Sequence, residues 1–235
     1  MKKKHIIAII VLVLIADQAL KFYIKTHFAI EGPGQHTWVG GNWFEFYFVE
    51  NPGMAYGWEF GGNWGKLALT VFRLGAVIFG TWYLGSIIRR GYHKGFIICA
   101  GLIYAGALGN LLDSCFYGMI FDKGMVYNSA IHDYTYYSGL AKLSSPGYAG
   151  FLHGNVVDML HFPVINGTFP KWFPVWGGQA FEFFRPIFNI ADASISTGVI
   201  TILLFQKRFF RHRNSADEHH TVETVSLTDD LSQVS

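Results

Sequence analysis

The chain has 235 residues, of which 51% are hydrophobic, 17% aromatic and only 14% charged. This composition is typical of a small integral membrane protein and not of a water-soluble domain. The net charge of +2 is accounted for by short basic flanks, and no clustered basic face is visible, so we expect no nucleic-acid partner.

Four apolar stretches are long enough to cross a hydrocarbon core of about 30 Å, which takes about 20 helical residues. We predict spans over residues 5–25, 67–88, 96–117 and 187–206. Lys and Arg in short loops stay cytoplasmic. Basic residues precede the first span, join the second to the third and follow the fourth: Lys2, Lys3, Lys4, Arg89, Arg90, Lys94, Lys207, Arg208, Arg211 and Arg213. Both termini are therefore expected in the cytoplasm.

The predicted fold class is membrane all-α, with four transmembrane helices and a small β-containing periplasmic region. Residues 1–211 should form one membrane-embedded domain, with outer segments at about 26–66 and 118–186, and the polar tail 212–235 should be disordered. No small-x-small cleavage site follows the first span, so we expect a retained anchor. In residues 43–51, WFEFYFVEN, aromatic and β-branched side chains with partial alternation predict a β-strand.

Six of the seven tryptophans lie in the outer segments: Trp38, Trp43, Trp58, Trp64, Trp172 and Trp176. Indole rings favour the headgroup level of a bilayer, so we expect the outer region to lie on the membrane and to contact lipid. A soluble loop domain that packs its own aromatic rings is the alternative.

Charged side chains inside spans are costly and commonly functional. In the first span, Asp17 and Lys21 are four residues apart and can pair with each other, which favours a structural role over direct chemistry. Arg73 in the second span could extend towards the surface or approach lipid phosphate. The third span ends in small residues that permit close helix contact, followed by Asn110 and Asp113 at its outer boundary.

Two further acids are expected at the outer boundary. Asp192 lies about 9 Å along the fourth span if that helix starts after Pro186, with Asn189 on the same face, and Asp158 precedes the Phe162-Pro163 break. Two neighbouring carboxyls in a semi-dry site do not both ionise cheaply, so one keeps a proton while the other can accept one from water. On their spacing alone, however, separate structural roles for the two acids are favoured.

Five short patterns in order add the specificity that spacing lacks: Asp17-Gln-Ala-Leu-Lys21, Asn51-Pro-Gly-Met-Ala55, Gly106-Ala-Leu-Gly-Asn110-Leu-Leu-Asp113, Val156-Val-Asp158 and Phe188-Asn189-Ile-Ala-Asp192. Together they resemble the bacterial lipoprotein signal peptidase family, signal peptidase II. The resemblance covers residues from about 10 to 207, including the four-helix topology.

The resemblance implies an inner-membrane aspartic endopeptidase whose active site is at the periplasmic face. Its partners would be diacylglyceryl-modified prolipoproteins, cut just before the modified cysteine, and it would need no metal or organic cofactor. Asp158 and Asp192 correspond to the catalytic pair. The supporting positions correspond to Asp17, Lys21, Asn51, Gly53, Ala55, Asn110, Asp113 and Asn189. The two asparagines could orient the acids, grip substrate backbone or only link helices.

The chain departs from the family pattern in two places. The family usually has Arg directly after the aspartate that ends the third-span motif, whereas this chain has Ser114. The connection from Asp113 to Asp158 is also much longer than the family's, and its Tyr- and Gly-rich segment at 118–152 is compatible with a lid, a partner surface or a lineage-specific addition.

Two alternatives come from other classes, and a third is chemically closer. A proton- or ion-coupled transporter would use Asp17, Asp113 and Asp192 as relay groups, but transport predicts acids near the midplane. A non-enzymatic subunit would bind a partner helix at the polar seam and tolerate Asp→Asn changes. A presenilin-type protease would require a Gly-x-Gly-Asp pattern. We expect a monomer, although four helices with a polar seam permit either state.

Overall fold

Four long helices make up most of the fold. The computed structural model describes residues 3–30, 36–39, 43–53, 62–163, 165–183 and 186–210. The helices are α1 (Lys3–His27), α2 (Gly62–Arg89), α3 (Lys94–Ile120) and α4 (Ile190–Phe210). All four contain windows long and apolar enough to cross a membrane, which confirms the four predicted spans. Ala55, Trp58 and the tail from residue 211 lie outside the described residues.

Helix α3 is the centre of the bundle. Half of the residues in its most apolar stretch are buried, whereas 17% are buried in the corresponding stretch of each of the other three helices. Helices α1 and α2 both pack on α3. Large apolar side chains such as Leu12, Phe72 and Leu204 remain exposed on the outer helices, as expected for surfaces that face lipid. Cys99 and Cys115 on α3 are both buried and free.

Glycines allow α4 to approach α3 closely. A Cβ atom added to Gly106 would lie 2.2 Å from the backbone oxygen of Ala191, and one added to Gly198 would lie 2.7 Å from the backbone oxygen of Cys99. Both distances are shorter than any tolerable contact. The predicted packing seam of small residues on the third span is thereby confirmed, and its partner is α4.

Short strands cover one end of the bundle. The strands are β1 (His36–Trp38), β2 (Glu45–Asn51), β3 (Val126–Asn128), β4 (Asp133–Thr135), β5 (Val156–His161), β6 (Ile165–Thr168) and β7 (Ala180–Phe183). Strands β1, β2 and β5 form an antiparallel sheet in that order. The strand predicted at 43–51 is confirmed as β2, and it is the central strand. β3–β4 and β6–β7 form separate hairpins.

An apolar cluster joins this sheet to the helix ends. It combines side chains from α1 and the residues just after it, from α3, β2 and β5, and from the segment between α3 and β5: Ile24, Ile30, Phe48, Tyr117, Phe121, Met125, Tyr134, Ala141, Val157 and Met159. Strand β5 contacts both α1 and α3. Because the core is continuous across these elements, the sheet is fixed relative to the C-terminal ends of α1 and α3.

We predict that Gly106→Ala destabilises the protein, because the new methyl group would force α4 away from α3. Overpacking of this kind costs about 1–3 kcal/mol, so the melting temperature in detergent should fall. Gly75→Ala on α2 is the matched control, since a Cβ there meets no atom within 4 Å. Equal melting temperatures for the two variants would contradict the close α3–α4 contact.

Candidate active site

Asp192 lies in the first turn of α4. The Oδ1 atom of Asn189 accepts a hydrogen bond from the Asp192 backbone N–H at 2.9 Å, and the Asn189 backbone oxygen accepts one from Ala193 at 3.0 Å. Asn189 is therefore the N-cap of α4. The expected helix start at residue 187 is wrong by three residues, and Asn189 precedes the helix instead of sharing its face. The Asp192 carboxylate thus lies close to the positive end of the helix dipole.

Asp158 lies on β5, opposite Val49 of β2, and its side chain is buried. The strand is joined to the segment before α4 by backbone hydrogen bonds with Phe188. Leu160 donates to the Phe188 oxygen at 2.7 Å, and Phe188 donates back to the Leu160 oxygen at 3.1 Å. This bridge holds β5 beside the start of α4, although the two acids are far apart along the chain.

Two asparagine side chains connect the acids. Asn189 donates its Nδ2 to Oδ1 of Asp158 at 2.6 Å, and Asn110 donates its Nδ2 to Oδ1 of Asp192 at 2.7 Å. Asn189 also lies 3.2 Å from the Oδ1 of Asn110. Each amide therefore contacts an acid, and the two amides together join α3 to the start of α4. Of the roles considered for these residues, the contacts combine orienting the acids with linking helices.

A buried lysine fixes the orientation of Asn110. The Lys21 ammonium lies 2.8 Å from Asp17, 2.8 Å from Asp113 and 2.9 Å from Oδ1 of Asn110. Because an ammonium only donates, it holds the Asn110 oxygen on its own side and turns the Nδ2 towards Asp192. The predicted Asp17–Lys21 pair is confirmed, but it is one part of a network that reaches the candidate site.

Gln18 extends this network and was not predicted. Its Nε2 donates to Asp113 at 2.8 Å and to Asp17 at 3.1 Å, and its Oε1 accepts from the Tyr117 hydroxyl at 3.1 Å. Asp17 also accepts the backbone N–H of Ala191 at 2.8 Å, which satisfies an unpaired donor of the first turn of α4. In the sequence, only the position of Gln18 between Asp17 and Lys21 indicates that this residue belongs to the candidate site.

The surroundings of Asp158 favour its protonated form. Burial is the main cause, and the negative charge of Asp192 is the second; together they raise the pKa of Asp158 to about 8. Asp192 is only half-buried, accepts a hydrogen bond from Asn110 and lies in the first turn of α4. The two neighbouring carboxyls therefore have different surroundings.

Arg73 points into the bundle. Its Nη1 donates to the Ser114 hydroxyl at 2.8 Å, and its charge interacts with Asp113, Asp192 and Asp158. The sequence analysis considered extension towards the surface or contact with lipid phosphate, and neither role includes this contact. The Arg73 guanidinium, carried by α2, thus contacts Ser114, which follows Asp113 on α3.

Asn51 and Gly53 form a turn at the end of β2. The Oδ1 of Asn51 accepts the Gly53 backbone N–H at 2.8 Å, and Gly53 has a φ of 116°, which other residues rarely adopt. Asn51 and Asp158 line the same cavity, whose volume is about 400 Å³. Within the described part of the chain, no group of three or more His, Cys, Asp or Glu side chains could hold a metal ion.

The chain is similar to several known proteins over most of its length. Lipoprotein signal peptidases of Porphyromonas gingivalis and Amoebophilus asiaticus are 42% and 30% identical to it, over 87% and 83% of this chain and 84% and 75% of theirs. Two solved structures described as a bacterial membrane enzyme share the fold with a TM-score of 0.52 each, at 24% and 23% identity. They cover 88% and 86% of this chain and 89% and 92% of theirs.

The family model described as "Signal peptidase (SPase) II" matches residues 9–208. The match includes the sheet, both acids and all of α2 and α3. It leaves out only the first six residues of α1 and the last two of α4. The chain is therefore a multi-pass membrane protein that belongs to the signal peptidase II family.

Proposed function

We propose that this protein is an aspartic endopeptidase that removes signal peptides from prolipoproteins by hydrolysing the bond before a diacylglyceryl-modified cysteine. Asp158 and Asp192, joined through Asn189 and Asn110, carry the proposal. The relatives named lipoprotein signal peptidase support the substrate class.

The two acids have different roles in the proposed reaction. Asp192, the ionised member, accepts a proton from a water molecule, whose oxygen attacks the scissile carbonyl carbon. Asp158, the protonated member, donates a hydrogen bond to the carbonyl oxygen and stabilises the negative charge that develops there. When the tetrahedral intermediate collapses, the C–N bond breaks and the proton that Asp192 took from water passes to the cysteine nitrogen. Asp192 is then ionised and Asp158 protonated, as before the reaction.

The surrounding residues position this pair. Lys21, Asp17 and Asp113 hold Asn110 and the first turn of α4, so they keep Asp192 in place. We assign Asn51 to the substrate pocket, because it lines the same cavity as Asp158. For Gly53 and Ala55 the same role is proposed on the resemblance alone. The proposed metal-free mechanism needs no group other than water and the substrate.

The depth of the site fits a lipidated substrate. We place the acids at the periplasmic face of the inner membrane and both termini in the cytoplasm. The acyl chains of a modified cysteine stay in the bilayer, which keeps the scissile bond near the headgroups. Asp192 lies in the first turn of α4, and the side chains of Trp43, Trp64 and Trp172 are exposed, as expected for an outer surface that rests on the membrane.

We predict that Asp158→Asn and Asp192→Asn each lower cleavage of a diacylglyceryl-cysteine prolipoprotein peptide by at least about a hundredfold, since each removes one acid–base partner. Asp217→Asn in the polar tail is the matched control and should keep wild-type turnover. Melting temperatures would verify folding, and the unlipidated peptide would test the substrate class. A folded dyad variant with wild-type turnover would overturn the mechanism.

We predict that kcat/KM falls as pH rises through about 8, because Asp158 then loses the proton that polarises the carbonyl.

The free energy of unfolding should also fall as the pH rises. The folded-state pKa lies above the unfolded value of about 3.9, so the folded state binds more protons and loses stability between pH of about 4 and 8. Melting curves across pH should show this decline in the wild type and a smaller one in Asp158→Asn.

We predict that Arg73→Gln lowers turnover, because it removes the positive charge that interacts with Asp158 and Asp192. Adding Ser114→Arg to this variant should restore part of the activity, since it returns a guanidinium to the same place from α3. Arg90→Gln beyond the end of α2 is the matched control. If the double variant remains as slow as Arg73→Gln, the charge at this place does not support the dyad.

A further inference from the structure

The long connection between α3 and β5 is bound closely to the end of α3. Its returning part makes backbone hydrogen bonds to the last turns of the helix: Ala149 to the Gly118 oxygen at 2.9 Å, Tyr148 to Phe121 at 2.9 Å and Gly154 to Ser114 at 2.9 Å. The Gly118 oxygen is one of the carbonyl groups that a helix end leaves without a partner along the helix. The connection is therefore part of the rigid scaffold.

Glu50 anchors the start of the β3–β4 hairpin. Its carboxylate accepts the Met125 backbone N–H at 2.9 Å, the Tyr137 hydroxyl at 2.8 Å and the Asn155 amide at 2.6 Å, and it pairs with the Lys25 ammonium. Burial and the Glu50 charge raise the pKa of Tyr137, which keeps its hydroxyl as a donor. Residues before and after the hairpin are thus held by one buried group on β2.

The Lys25 ammonium is enclosed as well as paired. It lies over three rings, those of Phe121, Tyr137 and Tyr148, at 5.1, 5.4 and 5.2 Å from their centroids. Desolvated cation–π contacts of this kind are favourable and directional. Since all three rings belong to the connection, they fix it to α1, and the hairpin is held in place before any substrate binds.

The hairpin and Asp158 line the same cavity. The lining includes Asp158 and the end of β2, together with Asp133, Tyr134 and Tyr136 from β4 and the residue after it. The cavity volume of about 400 Å³ lies within the range of ligand-binding pockets, about 300–1,000 Å³. The Tyr136 side chain is 60% exposed there, and such a ring offers a large contact surface at low entropic cost.

We propose that the β3–β4 hairpin binds the first residues of the mature lipoprotein, those that follow the scissile bond. This inference rests on the proposed function. The signal peptide and the acyl chains lie in the bilayer beside the helices, whereas the chain after the cysteine leaves the membrane. The hairpin follows the outer end of α3 and shares its cavity with Asp158, so it is the wall that this emerging segment meets.

In this arrangement the segment lies against the Tyr136 ring, and the Asp133 carboxylate accepts its backbone N–H groups. Both side chains are exposed at the cavity wall. The connection at 118–152 is then a specificity element of the enzyme.

The test compares two lipidated peptides that share a signal sequence and a diacylglyceryl cysteine. One ends at the cysteine amide, and the other continues for several residues. We expect the wild type to have a higher kcat/KM for the longer peptide by about twofold to twelvefold, the range that one aromatic contact supplies. Tyr136→Ala and Asp133→Ala should bring this ratio towards one.

Ile131→Ala is the matched control, because Ile131 lies in the same hairpin, is 59% exposed and does not line the cavity. It should keep the wild-type ratio. A wild-type ratio of one, an unchanged ratio in both cavity variants, or an equal loss of the ratio in Ile131→Ala would overturn the inference. Failure of the folded wild type to cleave either peptide would instead overturn the proposed function.

Discussion

The candidate site depends on the burial of one ammonium group. Lys21 is fully buried, and an unpaired charge in such a place would be prohibitive, so Asp17 and Asp113 must approach it from α1 and α3. Removing one partner from a buried pair costs about 3–5 kcal/mol. The same ammonium orients Asn110, and Asp17 binds the first turn of α4. A requirement of charge burial therefore determines the position of three helices and of Asp192.

A second buried lysine on α1, Lys25, supports a second polar network. Lys25 follows Lys21 by one helical turn and pairs with Glu50, which in turn binds the connection between α3 and β5. Helix α1 thus supports two polar networks. The network around Lys21 holds the acids, and the network around Lys25 holds part of the lining of the cavity that Asp158 also lines. Their spacing on one helix face keeps the two at a constant distance.

Hydropathy predicted the four helices because lipid exposure demands long apolar runs, and alternation predicted β2. The start of α4 was wrong because Ile187 and Phe188 prolong the apolar run, whereas the Phe188 backbone pairs with Leu160. That pairing is also what brings Asp158 to Asp192, so spacing could not reveal it, and only the resemblance indicated the pair. The role of Glu50 was invisible because its partners come from distant segments that have no periodic pattern.

Ser114 shows how a departure from a family pattern can be compensated in space. The resemblance predicts a guanidinium directly after Asp113, and here a small hydroxyl leaves room for Arg73 to enter from α2. Electrostatic interaction depends on distance and burial and not on which helix carries the charge. Arg73 interacts with Asp113, Asp192 and Asp158, so its positive charge offsets part of the negative charge of these acids. The charge balance of the candidate site can therefore be kept without an Arg at position 114.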